Sequence, residues 1–412
     1  MIEIFIALAL FFRQFAKYLG SDYETSAFFA GNLDLFFVIA FIGLYTVTKS
    51  KPFIRWFLVI FLIGFIQFFA IQDINRGDLG IYVAKLTLCL AALFYAKAKF
   101  PKLKLSWIVV PYSVLLGVGT AVATAIGPNR LLWTVDDEVN KFDATRLMLT
   151  YIEPSELGFT IVLVLFALIY LFSKAQYRRV RLMYTASIFI NLYALYLAKP
   201  FGAIIIGVVA LLVMIIYQLL RVKPTLRKQV AAIALIFFGT VTIGYMFTQD
   251  SPLRNSNNSI VQRGLSAADG EDSSINYRVG ISTTVTVDSL ARSPIIGQGF
   301  GILGTDEFID RYYSIGLRTT LANSFLAFIA EAGVIGLIVV VYLICKLYMS
   351  AFRSNSYLAF GLVTFVVLYQ FTGGHFSNPL IWTIYGVVFA IEDMSRRNKN
   401  SPTVVQKKAL TA

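Results

Sequence analysis

The chain has 412 residues, of which 58% are hydrophobic and only 14% are charged, and its mean hydropathy is +0.72. This composition excludes an ordinary water-soluble globular domain, and the net charge of +13 falls mainly in short loops, so it does not indicate a nucleic-acid partner. The apolar runs are about 20 residues long, enough to cross a hydrocarbon core of about 30 Å as helices. None alternates like a barrel strand. The sequence therefore predicts an all-α, polytopic membrane bundle, with residues 1–412 forming a single membrane domain.

The first apolar run is ambiguous, because it contains Arg13, Gln14 and Lys17. It either spans the membrane or lies at the interface with Arg13 and Lys17 snorkelling towards water. The chain is thus expected to have 11 or 12 transmembrane helices. The apolar runs lie near residues 2–20, 28–48, 53–71, 79–96, 106–126, 156–173, 182–198, 201–220, 229–247, 321–345, 357–372 and 379–391.

The loops between these runs alternate in charge, which predicts the orientation of the chain. One alternate set holds 22 of the 36 Lys and Arg residues and only two of the 23 acids. Because short basic loops face the cytoplasm, residues 392–412 are expected to form a cytoplasmic tail. The N-terminus is cytoplasmic as well if the first run spans. The basic loops are 49–55, 97–104, 173–181, 221–228, 346–353 and the tail.

Two longer polar stretches then fall on the opposite side of the membrane. The first external loop covers 127–155, and the second, much larger, covers 249–320. Within the second, residues 254–274 have the composition of a mobile linker. Residues 275–291 are predicted to form a helix that stops before Pro294, although the β-branched stretch in this segment suits a strand equally well.

Arginines in these loops are candidates for binding a phosphate-bearing substrate, because the planar guanidinium donates paired hydrogen bonds and stays charged. Arg146 precedes Glu153, which opens a span and whose carboxylate is expected to face an external cavity. The alternative for this pair is an ordinary helix start with an interfacial arginine. The large loop carries Arg278, Arg292 and Arg318, each of which alone also fits a solvated side chain or a contact with a lipid headgroup.

Three further ionisable residues have positions that suit either structure or function. Glu331 lies inside an apolar span, where a carboxylate is costly and is a functional candidate by default. Lys199 lies between two spans and either snorkels or binds substrate. His375 is external by the predicted topology and is either structural or a proton acceptor near neutral pH. The sequence shows no zinc-type ligand cluster and no nucleotide-binding motif, so we expect neither a metal nor a cofactor.

Three stretches carry a resemblance to a known family. They are EPS at 153–155, RVGISTTVTVDSLARSPIIGQGFG at 278–301 and NSFLAFIAEAGVIG at 323–336. In this order, they resemble the O-antigen polymerase and O-antigen ligase superfamily of bacterial envelope proteins. In that family an arginine starts a helix that runs to a proline- and glycine-containing turn, followed by a span with an E-x-G-x-x-G segment. The likeness covers roughly residues 140–390.

The resemblance implies a GT-C-like glycosyltransferase of the bacterial inner membrane, with its active face in the periplasm. Its substrates would be undecaprenyl-pyrophosphate-linked oligosaccharides, joined without a metal into O-antigen or a related surface polysaccharide. A chain-length-regulating membrane protein is an implied partner. Arg278 and Arg146 match the arginines of the family pattern and are the first candidates for binding pyrophosphate. The other candidates are Lys199, Arg292, Arg318 and Asn323 for substrate binding, and Glu153, His375 and Glu331 for catalysis.

One departure from the family pattern favours a polymerase over a ligase. Ligases of this family carry His-Asn where this chain has Ala322 and Asn323, so the ligase histidine is missing. The alternatives are a ligase that transfers glycan to lipid A core and, from another class, a flippase or transporter of lipid-linked oligosaccharide. A transporter predicts ionisable residues within many spans and often internal repeats, whereas most runs here are plainly apolar and no repeat is evident.

Overall fold

The described part of the chain is mostly α-helical. The computed structural model describes residues 2–71, 75–134, 145–221, 259–269, 276–373 and 375–399. The helices are α1 Ile2–Phe11, α2 Tyr23–Asn32, α3 Leu35–Val47, α4 Lys51–Ala70, α5 Arg76–Lys99, α6 Ser106–Ile126, α7 Pro154–Lys174, α8 Arg178–Ala198, α9 Phe201–Arg221, α10 Ser259–Ala268, α11 Ser282–Arg292, α12 Asp306–Arg311, α13 Ser324–Ser354, α14 Tyr357–Thr372 and α15 Pro379–Lys399.

Eight helices in the described part of the chain are long enough and apolar enough to cross a membrane, which confirms the predicted polytopic helical membrane protein. The helices α1 and α14 are apolar but shorter, and the run near 229–247 lies outside the described residues. The expected total of 11 or 12 spans therefore stays a prediction. The eight are Glu24–Val47, Lys51–Ala70, Arg76–Lys102, Ser106–Ile126, Pro154–Lys174, Arg178–Ala198, Phe201–Leu220 and Ser324–Ser354.

Local sequence explains where several of these helices begin. The carboxylate of Asp22 accepts a hydrogen bond from the Thr25 N–H at 2.8 Å, and the side chain of Asn75 accepts from Gly77 at 2.9 Å. Such caps satisfy N–H groups that have no partner within the helix. Pro154 opens α7, where its missing N–H is not needed. At the other end of α6, Gly127 adopts a positive φ of 81°, which stops the helix.

The large predicted loop contains regular structure. A short π-helix at Tyr277–Ile281, called the π-turn below, leads directly into α11. Short 3₁₀ helices follow at Ile302–Gly304 and Tyr313–Ile315. Within the range predicted as a mobile linker, residues Ser259–Ala268 form α10, a helix that composition alone did not predict. Residues 254–258 and 270–274 lie outside the described part.

The chain divides into two compact units, one made of residues 1–36 and 103–272 and the other of 37–102 and 273–412. In the first unit, α7 packs against α8 and α9, and α6 packs against α1 and α8. A two-stranded antiparallel ribbon pairs Trp133 with Leu147 and Thr134 with Arg146. The Trp133 indole N–H donates to the carbonyl of Ala123 at 3.1 Å, which ties the ribbon to the end of α6.

Arg13 and Lys17 are buried in the first unit, so of the two alternatives for the first apolar run, the one with these side chains snorkelling towards water is wrong. Arg13 is only 1% exposed, and its guanidinium donates to the carboxylates of Asp34 and Glu156, each at 2.7 Å. Lys17 donates to the carbonyls of Leu131, Leu149 and Tyr151. Burying a charge is costly unless it finds hydrogen bonds or an opposite charge. Arg13 has both inside the protein, and Lys17 has three carbonyl partners there.

In the second unit, α15 packs against α5 and α13, and α11 packs against α13. Helix α13 has 31 residues and is broken at Gly333, whose φ and ψ of 66° and −150° are not helical. A continuous helix of this length would extend about 46 Å, which exceeds the hydrocarbon thickness of about 30 Å. The break separates a short first segment from a second segment that alone is long enough to span.

We expect Arg13→Met to lower the free energy of unfolding by about 3–5 kcal/mol, because it leaves two largely buried carboxylates without their counter-charge. Thermal unfolding of the purified protein in detergent measures the loss as a lower Tm. Arg179→Met is the matched control, since it removes an exposed guanidinium and should not change Tm. Equal Tm values for the Arg13 variant and the wild type would contradict the structural role of the buried ion pairs.

Candidate functional site

The break in α13 is filled by the turn formed by residues 293–301, which carries the sequence SPIIGQGFG. Backbone hydrogen bonds join the turn to α13, and each of the two donates to the other. Val334 N–H donates to the Pro294 carbonyl at 2.8 Å, and Gln298 N–H donates to the Ala330 carbonyl at 2.9 Å. Gly299 N–H donates to the Glu331 carbonyl at 3.1 Å. The turn thus supplies partners for backbone groups that a continuous helix would have paired within itself.

Two glycines make this close approach possible. A Cβ at Gly333 would lie 2.5 Å from the Ile295 carbonyl oxygen, and one at Gly297 would lie 2.4 Å from the carbonyl of Glu331. Both glycines also have positive φ, 66° and 71°, which other residues rarely adopt. The glycine pattern of the two motifs therefore reflects backbone meeting backbone, a contact that no side chain can replace.

Gln67 of α4 completes the junction. Its Nε2 donates to the carbonyls of Ile296 and Glu331, each at 2.8 Å, and its Oε1 accepts from the Phe300 N–H at 3.0 Å. The side chain is fully buried. One glutamine amide therefore satisfies three buried backbone groups of the turn and the broken helix. The sequence pattern did not single out Gln67, although it is the only polar side chain in the run FLIGFIQFFA.

Glu331 lies directly beneath the turn and is 2% exposed. One carboxylate oxygen accepts from the Gly301 N–H at 3.0 Å, and Tyr82, whose ring stacks on Phe300 at 5.3 Å, faces the same carboxyl. The predicted catalytic role of Glu331 stays a prediction. Its contacts are those of a residue that fixes the conformation of the turn.

A second cluster forms around the end of α14. The carbonyls of three successive residues there accept hydrogen bonds from three different side chains: Phe371 from Asn323, Thr372 from Arg278, and Gly373 from Ser324. Asn323 also caps α13 by accepting from the Leu326 N–H at 3.1 Å. These contacts hold the C-terminal end of α14, which attracts positive charge, beside the N-terminal end of α13, which attracts anions.

Arg278 belongs to this cluster, and His375 lies close to it in the chain. Arg278 is half-buried at the π-turn, and its Nη1 lies close enough to Gly373 that a Cβ there would be 3.3 Å away. His375 follows two residues later and is exposed. The structure therefore brings together two of the predicted site residues, Arg278 and Asn323, at the end of α14, and His375 lies two residues beyond Gly373 in the chain.

Arg292 and Arg318 are placed differently. Arg292 is exposed and pairs with Asp288 at 2.7 Å, and the Tyr312 hydroxyl donates to the same carboxylate at 2.6 Å. The Tyr312 hydroxyl, followed by Arg292, holds the pKa of the Asp288 carboxyl below its usual range. Arg318 lies over the ring of Tyr313 at 3.8 Å and donates to that residue's carbonyl.

The remaining three candidates belong to the first unit. Arg146 is half-buried on the second strand of the ribbon. Glu153 is exposed just before α7 and accepts a hydrogen bond from Ser155 Oγ at 2.7 Å. Lys199 ends α8 in a left-handed conformation with φ of 45°. Their predicted roles stay predictions.

Groups of three or more His, Cys, Asp or Glu residues that could hold a metal ion are absent from the described residues. The sequence matches no protein-family model and no curated protein.

We expect Gln67→Leu to lower the free energy of unfolding by about 2–4 kcal/mol, because it removes the hydrogen bonds of Gln67 to the Ile296 carbonyl and the Phe300 N–H and one of the two that the Glu331 carbonyl accepts. Gly333→Ala should have a similar effect through its clash with the turn. Thermal unfolding in detergent measures both variants, with Gln176→Leu at an exposed position as the control. If Gln67→Leu unfolds at the wild-type temperature, Gln67 does not hold the turn.

Proposed function

We propose that the protein is a glycosyltransferase that polymerises undecaprenyl-pyrophosphate-linked repeat units into O-antigen or a related surface polysaccharide. It would act in the bacterial inner membrane, on the periplasmic side, with a cytoplasmic C-terminus. The three sequence stretches with the order seen in O-antigen polymerases support this proposal. Two of these stretches also pack against each other: the turn at 293–301 and the segment around Glu331 form one interlocked unit.

The observation that carries the proposal is the setting of Arg278. Its hydrogen bond to the Thr372 carbonyl uses one of its five N–H donors. Among the described residues, its hydrogen bond goes to a backbone carbonyl rather than to a carboxylate, whereas Arg292 and Arg311 pair with Asp288 and Glu307. A fixed guanidinium that no carboxylate among the described residues neutralises suits a phosphate ligand.

The adjoining N-terminus of α13 supports the same function. Unpaired N–H groups and the helix dipole attract anions at such an end. In the proposed reaction, the growing glycan on its lipid pyrophosphate is the donor. A hydroxyl of the next lipid-linked unit attacks the anomeric carbon, and the bond to pyrophosphate breaks. Arg278 would stabilise the negative charge that develops on the leaving pyrophosphate, which requires no metal.

His375 is the better supported candidate for the base that takes the acceptor proton. It is exposed and follows the Thr372–Gly373 segment that Arg278 and Ser324 hold. Glu153 remains the alternative base. An acceptor hydroxyl loses its proton as it attacks, so a base near the phosphate-binding arginine would serve the reaction directly.

We expect Arg278→Ala to lower the rate of polymerisation about 10²- to 10³-fold, which is the usual cost of removing one donor to a developing oxyanion. The assay contains folded protein in nanodiscs, the lipid-linked repeat unit and EDTA, without nucleotide sugar, and a gel resolves the ladder of products. Arg292→Ala is the matched control, because Asp288 already neutralises that exposed arginine. It should retain most of the activity.

The same assay separates the alternatives. If the folded wild type makes no ladder from intact substrate but transfers the glycan to added lipid A core, the protein is a ligase. If it makes neither product and moves the lipid-linked unit across the bilayer, it is a transporter. Equal ladders from Arg278→Ala and the wild type would rule out the proposed role of this arginine.

We expect His375→Gln to lower the rate about 10²-fold or more if it is the base, while Glu153→Gln stays close to wild type. The measurement is the initial rate at saturating lipid-linked substrate, so that a loss of binding does not contribute. The opposite ranking of the two variants would assign the base to Glu153 instead.

A further inference from the structure

The second unit contains an apolar groove that has no role in the reaction proposed above and is not part of the family pattern. Its volume is about 300 Å³, within the range of small-ligand sites. Helices α4, α5, α13 and α15 all contribute to its walls. Phe300, Phe328 and Phe376 line its inner end, and the rings of Phe328 and Phe376 stack at 4.1 Å.

The groove has the length of one leaflet of a membrane. On α4 it extends from Pro52 to Ile63, and on α5 from Leu86 to Lys97, which is about 17 Å in each helix at about 1.5 Å per residue. Half of a hydrocarbon core of about 30 Å is about 15 Å. A single acyl chain of a phospholipid fits this length, whereas a polyprenyl chain that crosses the whole bilayer does not.

Among the described residues that line the groove, charge lies at one end only. Lys97 and Lys346 line it there, and both lie at the start of Lys/Arg-rich loops, 97–104 and 346–353. Lys97 pairs with Asp393 at 3.2 Å. Lys346 is exposed, and the ion pairs found among the described residues do not include it. The charged end therefore coincides with the level at which lipid headgroups lie, and its lysines complement a negative headgroup.

We propose that this groove is a binding site for one anionic phospholipid of the leaflet that faces the basic loops. One acyl chain lies along α4 and α5 and ends against Phe300 and Phe328, and the phosphate contacts Lys97 and Lys346. Basic pockets between transmembrane helices bind anionic headgroups in this manner. Because Phe300 belongs to the turn that fills the break in α13, the bound acyl chain also packs against that turn.

The test uses the full-length protein in detergent micelles, titrated with phosphatidylglycerol or with phosphatidylcholine that has the same acyl chains. Native mass spectrometry counts the bound lipids. We expect one saturable phosphatidylglycerol site with at least tenfold preference over phosphatidylcholine. Lys97→Gln and Lys346→Gln should each weaken it about fivefold, which corresponds to about 1 kcal/mol per lysine near a membrane surface.

Two controls make the result specific. The double variant Lys99→Gln/Lys102→Gln removes two charges from the same basic loop but outside the groove, and it should leave the affinity unchanged. Asp393→Asn frees Lys97 from its carboxylate and should strengthen phosphatidylglycerol binding. All of these side chains are at least partly exposed, so the variants are expected to fold.

A third variant tests whether the acyl chain occupies the groove. Val339→Trp fills the groove wall and should abolish the saturable site, while an unchanged Tm confirms folding. Equal affinity for the two lipids, or equal losses in the Lys99/Lys102 control, would overturn the proposal. So would binding that increases without saturation, since that is the behaviour of bulk lipid around a membrane protein.

Discussion

Within the second unit, the arrangement depends on one constraint: backbone groups in a low-dielectric environment must find hydrogen-bond partners. The break in α13 at Gly333 exposes such groups, and the turn at 293–301 together with Gln67 satisfies them. Without the turn, the break in α13 leaves polar backbone atoms unpaired, and without the break, so does the turn. The two sequence motifs are therefore two halves of one structure, and Gln67 is the third component that joins them.

The position of the candidate site follows from this junction. The segment of α13 before Gly333 is only a few turns long, and its N-cap, Asn323, immediately precedes its first residue, Ser324. Fixing the break at Glu331 and Gly333 thus fixes the direction in which the helix start points. Asn323 and Ser324 then hold the end of α14, to which Arg278 also binds. A short, rigid connection of this kind places polar groups more accurately than a loop does.

Composition and apolar periodicity were enough to predict the class of fold and the approximate limits of most helices. They did not predict which side chains meet. Gln67 contacts residues 229 and 264 positions away in the sequence, and no local pattern encodes such a pairing. The family pattern places a turn at the motif glycines, and the structure contains it. That glycine is needed there because two backbones come into contact can be seen only in the structure. The sequence leaves open whether Arg13 snorkels towards water, because its partners, Asp34 and Glu156, lie in other apolar runs and a charge looks unpaired when only its own segment is considered.

The ion pairs of Arg13 also bear on the order in which the protein assembles during synthesis. Asp34 is made 21 residues after Arg13, but Glu156 follows 143 residues later, after Lys51–Ala70, Arg76–Lys102 and Ser106–Ile126, three of the membrane-spanning helices. The ribosome has therefore delivered those spans before the second carboxylate exists. Arg13, which lies just after α1, can complete its ion pairs only once α7 has been inserted, so this segment, although synthesised first, does not reach its final electrostatic environment until much later in synthesis.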